Sequence, residues 1–153
     1  MRLNFKDQND AGLFFMPENE KIEGPVILFD GVCNLCSGAV QFVIKRDKKN
    51  IFRFASLQSS FGQRVLQNCH LSTGNFTSFV LLQNGRVYVK SAAALLVARQ
   101  LSGFWPLLYA FIIIPSFLRN IVYNVIAANR YKWFGQKEAC WIPSPELKIR
   151  FFD

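Results

Sequence analysis

The run Val26-Ile27-Leu28-Phe29, followed at once by Asp30-Gly31, constrains this chain more than any other feature. Four consecutive apolar residues bounded by a turn signal read as a strand buried on both faces. Cys33 and Cys36 then follow at C-x-x-C spacing, just where a helical pattern begins. Cys36, Val40, Val43 and Ile44 recur on one helical face, which predicts a helix from about Cys33 to Asp47. The first cysteine therefore stands at a helix N-terminus, where unpaired N–H groups and the positive end of the helix dipole collect.

Strand, turn, CxxC and helix in this order are the layout of a thioredoxin-like redox site. Residues i and i+3 of a first helical turn lie close enough to close a disulfide after a small adjustment. The thiolate is the attacking species in disulfide exchange, and a helix N-terminus favours it. Cys33 is thus the expected nucleophile and Cys36, one turn deeper, the expected resolving thiol. Asp30 is the third candidate site residue, with two roles open to it: proton acceptor for Cys36 during exchange, or an Asx residue bonding the N–H groups of the turn. A carboxylate near Cys33 opposes thiolate formation, so the helix end and nearby cations must outweigh it. Asn34-Leu35, between the cysteines, supply no positive charge, and a site that is not strongly oxidising is expected. Arg119 and Arg130 are the cations to look for near it; the other reading is that they tie down the C-terminal helices.

The rest of the chain places this site in a fold. Ile51 to Ala55 reads as a second strand, parallel to the first through a right-handed crossover. Ser59 to Asn68 reads as a helix with Phe61, Val65 and Cys69 on one face, which makes Cys69 a core thiol rather than a reactive one. His70, the single histidine, reads as a surface or capping residue. Phe76 to Leu82 is the third strand, Asn84-Gly85 a hairpin turn and Arg86 to Lys90 the fourth strand. Ser91 is placed to cap a helix from Ala92 to about Leu101. The order β-α-β-α-β-β-α predicts an α/β, thioredoxin-like fold with a four-stranded mixed sheet and a C-terminal helical extension. The expected organisation is an N-terminal extension over 1–24, with one turn around Leu13-Phe14-Phe15, a core over 25–102, and helices over 103–153 packed on the same domain.

Charge and apolar patterning bound the partners. From Gln100 to Leu118 the chain carries no charge, a length sufficient to span a bilayer. Pro106 and Pro115 divide that run and leave about eight residues between them, too few to cross. A buried helix or hydrophobic interface is expected instead, with contact to a membrane surface or membrane protein through 104–126 kept open. Beyond Pro115, Leu118, Ile121, Val122, Val125 and Ile126 mark an amphipathic helix. The formal net charge of +8 suits nucleic acid, an anionic surface or solubility, but no nucleic-acid motif accompanies it. Lys45 to Lys49 sit where a helix C-terminus favours cations. No apolar segment follows Met1-Arg2, so no secretory leader is expected and the cysteines are expected to face a reducing, cytoplasmic compartment.

Phe29-Asp30-Gly31-x-Cys33-x-x-Cys36 resembles the signature of the Asp-Cys-Cys (DCC) family of predicted thiol–disulfide oxidoreductases. The C-terminal tract resembles the same family: Arg119 and Tyr123 as an Arg-x-x-x-Tyr pair, Asn129-Arg130-Tyr131-x-x-Phe134-Gly135, and a late Cys140. The resemblance covers about 25–143; Asn120 departs from it, standing where the family commonly has Asp. It implies a thioredoxin-like fold and thiol–disulfide exchange, with a protein or small-molecule disulfide as substrate, a partner that resets the dithiol, and no bound cofactor. Thioredoxin-like enzymes usually carry a cis-proline before the third strand. Gly74 to Phe79 contains none, and Thr77 or Ser78 takes that location, which weakens the case for strand-like substrate pairing. Two other classes stay open. One is a non-catalytic module docking through 104–126 on a membrane protein or a second copy. The other is a small zinc protein using Cys33, Cys36, Cys140 and either Cys69 or His70, although no second CxxC is present.

Overall fold

In the computed structural model, which describes residues 12–13, 22, 24–69, 71, 79–136, 138 and 142–152, the apolar run forms strand β2 (Val26–Phe29), buried along its whole length. It is buried because it has neighbours on both sides. Strand β3 (Arg53–Ser56) pairs with it in parallel and β4 (Val80–Gln83) antiparallel. β5 (Arg86–Val89) returns against β4 through the Asn84-Gly85 turn. With β1 (Gly12–Leu13) and β6 (Phe151–Phe152), the sheet runs β1-β5-β4-β2-β3-β6.

Side chains of a strand alternate between faces, and the core divides accordingly. Ile27 and Phe29 pack with Val40 and Val43 of helix α1 (Asn34–Arg46) and with Ala93 and Val97 of α3 (Lys90–Gln100). Val26 and Leu28 pack on the other face against Phe61, Val65 and Leu66 of α2 (Ser60–Asn68). Ser59 caps α2 by accepting the Gly62 N–H at 3.1 Å. Gly62 is required there, since a Cβ would stand 2.2 Å from the Ser56 carbonyl oxygen.

Several expectations are corrected. The sheet has more than four strands, because the chain adds a short strand at each edge. Gly12-Leu13 pairs through its backbone with Val87 and Arg86, while Phe14 and Phe15 of the expected turn lie outside the described residues. Ser91 does not cap α3, which starts at Lys90 after Val89; its hydroxyl donates instead to Asn120 Oδ1 at 2.6 Å. The first residues of the expected third strand, with Thr77 and Ser78, lie outside the described residues, as do His70 and Cys140.

The apolar run forms no buried helix. Between its prolines lies a 3-10 helix, Trp105–Ile113, with no fully buried residue. α4 (Ser116–Phe134) follows and packs against α1 and α3. Its apolar positions Leu118, Ile121, Val122, Val125 and Ile126 are all exposed. The inward stripe is Asn120, Tyr123, Ala127 and Arg130, at helical spacing. Tyr123 accepts the Phe79 N–H at 2.8 Å, and Asn120 receives the Ser91 hydroxyl. Hydrogen bonds, rather than apolar burial, thus set which way the helix faces. Among the described residues, no helix is long and apolar enough to cross a membrane.

The C-terminal strand is held by a second buried charge. Arg150 forms an ion pair with Asp47, donates to the Phe52 carbonyl at 3.1 and 3.2 Å, and to Asn50 Oδ1 at 3.1 Å. Asp47 also accepts the N–H groups of Ile51 and Phe52 at 3.2 and 3.0 Å. Removing one partner alone strands the other charge in the core. Asp47→Ala or Arg150→Leu should therefore lower the unfolding free energy by about 3–5 kcal/mol, measured as a fall in the urea midpoint.

Candidate redox site

The site is built where β2 gives way to α1. Asp30, 3% exposed, is the first residue past the strand. Its Oδ1 accepts the Val32 N–H at 3.2 Å, an Asx-type bond that shapes the turn, and Gln58 Nε2 at 2.9 Å. Gln58 returns the contact by accepting the Gly31 N–H at 3.2 Å. Asp30 Oδ2 accepts Arg130 Nη2 at 2.9 Å in a buried ion pair, and a short hydrogen bond from the Tyr131 hydroxyl. Arg130 Nη2 also donates to Tyr131 Oη at 3.0 Å.

Cys33 is the N-cap of α1. Its sulfur accepts the Cys36 N–H at 3.3 Å, and its carbonyl takes the first helical bond, from Ser37, at 2.9 Å. The bond from the Cys36 N–H closes the CxxC into one turn and brings Cys36 next to the Cys33 sulfur. Both cysteines are reduced. Their exposure reverses the expected order of depth. Cys33 is completely buried, whereas Cys36 is half-buried. The chain leaving α4 lies along the Cys33 turn. Gln136 forms an antiparallel bridge with Cys33, the Asn34 N–H donates to the Gly135 carbonyl at 3.4 Å, and Asn34 Nδ2 donates to the Phe134 carbonyl at 2.9 Å. Gly135 allows this approach through its positive φ of 80° at the helix C-cap.

Burial is the main cause pushing the Cys36 thiol up to about 12, and the hydrogen bond and charge of Cys33 add to it. Arg130 opposes this rise, its Nη1 lying 3.9 Å from Cys36 Sγ. Burial works against the charge on Arg130, but Cys36, Tyr131 and Asp30 outweigh it and hold the guanidinium above its ordinary value. Burial and the Asp30 hydrogen bond raise the Tyr131 hydroxyl. Cys69, half-buried at the end of α2, is pushed up to about 11 by burial alone, which suits a core thiol.

Beside Cys36 a cavity of about 360 Å³ opens, walled by Leu35, Phe42, Phe79, Trp105 and Tyr123. Its lining is almost wholly apolar. Trp105 is held edge-on to Phe42 at 4.5 Å between ring centroids.

Of the residues singled out in the sequence, Cys33, Cys36, Asp30 and Arg130 come together. Arg119 does not join them: its Nε donates to the Ile114 carbonyl at 2.9 Å, fixing the entry to α4. Two site residues went unpredicted. Tyr131 lies inside the Asn-Arg-Tyr run, where its adjacency to Arg130 was the available signal. Gln58, in the link from β3 to α2, carries no signal in the sequence. Among the described residues, no three His, Cys, Asp or Glu side chains gather as a metal site.

A sequence profile of the family described as DCC1-like thiol-disulfide oxidoreductase matches residues 27–136. YuxK of Bacillus subtilis (strain 168) is 53% identical over 133 residues, spanning 87% of this chain and 97% of that protein. A chloroplastic DCC family protein of Arabidopsis thaliana is 38% identical over 122 residues, spanning 79% of this chain and 71% of that one. No solved structure matches the chain.

The raised Cys36 value has a sign that can be measured. At pH 8 a thiol near 12 is only about one ten-thousandth ionised, whereas an unfolded cysteine near 8.5 is about a quarter ionised. Cys36 in the native, reduced protein should therefore react with iodoacetamide at pH 8 about a thousandfold more slowly than in urea-unfolded chain, as read by mass spectrometry. The folded state holds this proton more tightly than the unfolded chain does. Its contribution to stability is complete below about pH 8.5 and fades as pH rises towards 12.

Proposed function

This chain belongs to the DCC1-like thiol-disulfide oxidoreductase family, and from that premise we propose that it exchanges disulfides through the Cys33–Cys36 dithiol. The observation that carries the reading is the CxxC pair closed into the first turn of α1, where the Cys33 sulfur accepts the Cys36 N–H at 3.3 Å. The strand order β5-β4-β2-β3, with β2 and β3 parallel and β4 and β5 a hairpin, supports a thioredoxin-like assignment.

In this reading Cys33 attacks as the thiolate. It bonds to one sulfur of the substrate disulfide, and the other sulfur leaves with the electron pair and takes up a proton. Cys36 then loses its proton and attacks the Cys33 sulfur. The second substrate sulfur departs as a thiol, and the chain is left as the Cys33–Cys36 disulfide, oxidised by two electrons. A dithiol partner restores it. Cys36 must ionise against its burial, and the Arg130 guanidinium stabilises the anion that forms.

Asp30 serves as a positioning residue. Its two oxygens already accept four hydrogen bonds, so it holds Arg130 and the turn rather than taking the Cys36 proton itself. The cavity beside Cys36 favours a substrate with an apolar group next to its disulfide. Cys33 is completely buried, so exchange requires the site to open. The complete burial of Cys33 also favours a second reading, a thioredoxin-like scaffold without exchange activity.

Redox titration against dithiothreitol buffers separates the two. Exchange predicts a reversible Cys33–Cys36 disulfide with a potential in the range of known exchange proteins, about −120 to −270 mV. Cys36→Ser should accumulate a mixed disulfide on Cys33, and Cys33→Ser should form none. A pair that never closes leaves the scaffold reading.

A further inference from the structure

We propose that the exposed apolar band on the 3-10 helix and α4 seats this protein on an anionic lipid surface, lying in its plane. The band is large and continuous along the chain. Phe104 is 86% exposed, Ile113 85%, Phe117 64%, Val122 61%, Ile121 57% and Trp133 56%. The inward face of α4 is the separate stripe Asn120, Tyr123, Ala127 and Arg130. Among the described residues, the band therefore faces away from the core rather than closing onto it. Leaving this much apolar surface in water is unfavourable, which points to an apolar medium or partner.

Charge selects the occupant. Between Asp47 and Glu138 the chain contains no acidic residue, against eleven Lys and Arg. Cations border the band itself. Arg46 lies over the Trp105 ring at 5.2 Å, Arg99 over the Tyr109 ring at 4.9 Å, and Lys132 is exposed next to Trp133. A second copy would bring two positive rims face to face, whereas anionic headgroups match the rim while acyl chains receive Phe117, Ile121 and Trp133. No described helix is long and apolar enough to cross, so the arrangement is interfacial. This inference stands apart from the exchange chemistry and does not require it.

The test uses the full-length reduced protein with vesicles of phosphatidylcholine alone or containing phosphatidylglycerol. Co-sedimentation with the phosphatidylglycerol vesicles is expected, roughly tenfold or more weaker on phosphatidylcholine or in high salt, with a blue shift of tryptophan emission. The double variant Phe117→Asp, Ile121→Asp should lose binding at least about tenfold while keeping its circular dichroism. Should that variant not fold, Arg99→Glu with Lys132→Glu carries the test, by abolishing the preference for phosphatidylglycerol. Absence of vesicle binding overturns the proposal. So does binding that neither pair of substitutions weakens. A lipid-free dimer broken by the same apolar substitutions overturns it too, assigning the band to a second copy.

Discussion

The buried Asp30–Arg130 pair is the interaction on which the rest of the site depends. It joins the end of the central strand to the last turns of α4, across a hundred residues of chain. Taking two charges out of water is expensive, and their attraction offsets that cost only when the remaining hydrogen-bonding positions are filled. They are filled on the carboxylate side. Val32, Gln58, Arg130 and Tyr131 each donate to Asp30, so the turn, the β3–α2 link and the C-terminal helix are fixed by one carboxylate. The CxxC thus stands on a turn whose shape is set from three directions. A local sequence motif becomes a site only because α4 returns to it.

That return also governs the electrostatics of the dithiol. Arg130 divides its charge between Asp30 on one side and Cys36 on the other. Without a cation, burial, the Cys33 sulfur and Asp30 would all act against a Cys36 anion. The consequence is a division of labour between the thiols. Cys33, at the helix N-cap, accepts the Cys36 N–H at its sulfur, while burial holds the Cys36 thiol protonated. The two sulfurs thus stand in different surroundings without any charged residue between the cysteines. The cost is access, because the sulfur best supplied with donors is the one fully covered.

The sheet and its flanking helices were legible because they follow period and turn chemistry. Val26 to Phe29 alternates into two cores, Asn84-Gly85 turns a hairpin, and Ser59 caps α2. The C-terminal third was not legible in the same way. Apolar spacing at Leu118, Ile121, Val122, Val125 and Ile126 identified the helix, but those residues face outward rather than into the core. The face that packs inward carries Asn120, Tyr123 and Arg130, whose partners Ser91, Phe79 and Asp30 lie far away in sequence. Hydrophobic patterning ranks faces by transfer free energy and is blind to a polar face whose partners lie far away in sequence. Asn120 illustrates this: it receives the Ser91 hydroxyl in a direct hydrogen bond. Gln58 and Tyr131 escaped for the same reason, since their roles exist only once Asp30 is in place.

The orientation of α4 has one further consequence. Because its polar stripe turns inward, the helix brings Tyr123 to the wall of the Cys36 cavity and leaves its apolar side outward. Trp105 and Leu108 of the 3-10 helix complete that wall on the same side of the molecule. The cavity beside Cys36, walled elsewhere by α1 and α3, therefore shares these two elements with the outward apolar band. A protein seated on lipid through this band would hold the cavity close to the interface, where apolar molecules partition. Cavity and band thus share one structural cause: a C-terminal helix that turns Asn120, Tyr123 and Arg130 inward and leaves its bulky apolar side chains outward.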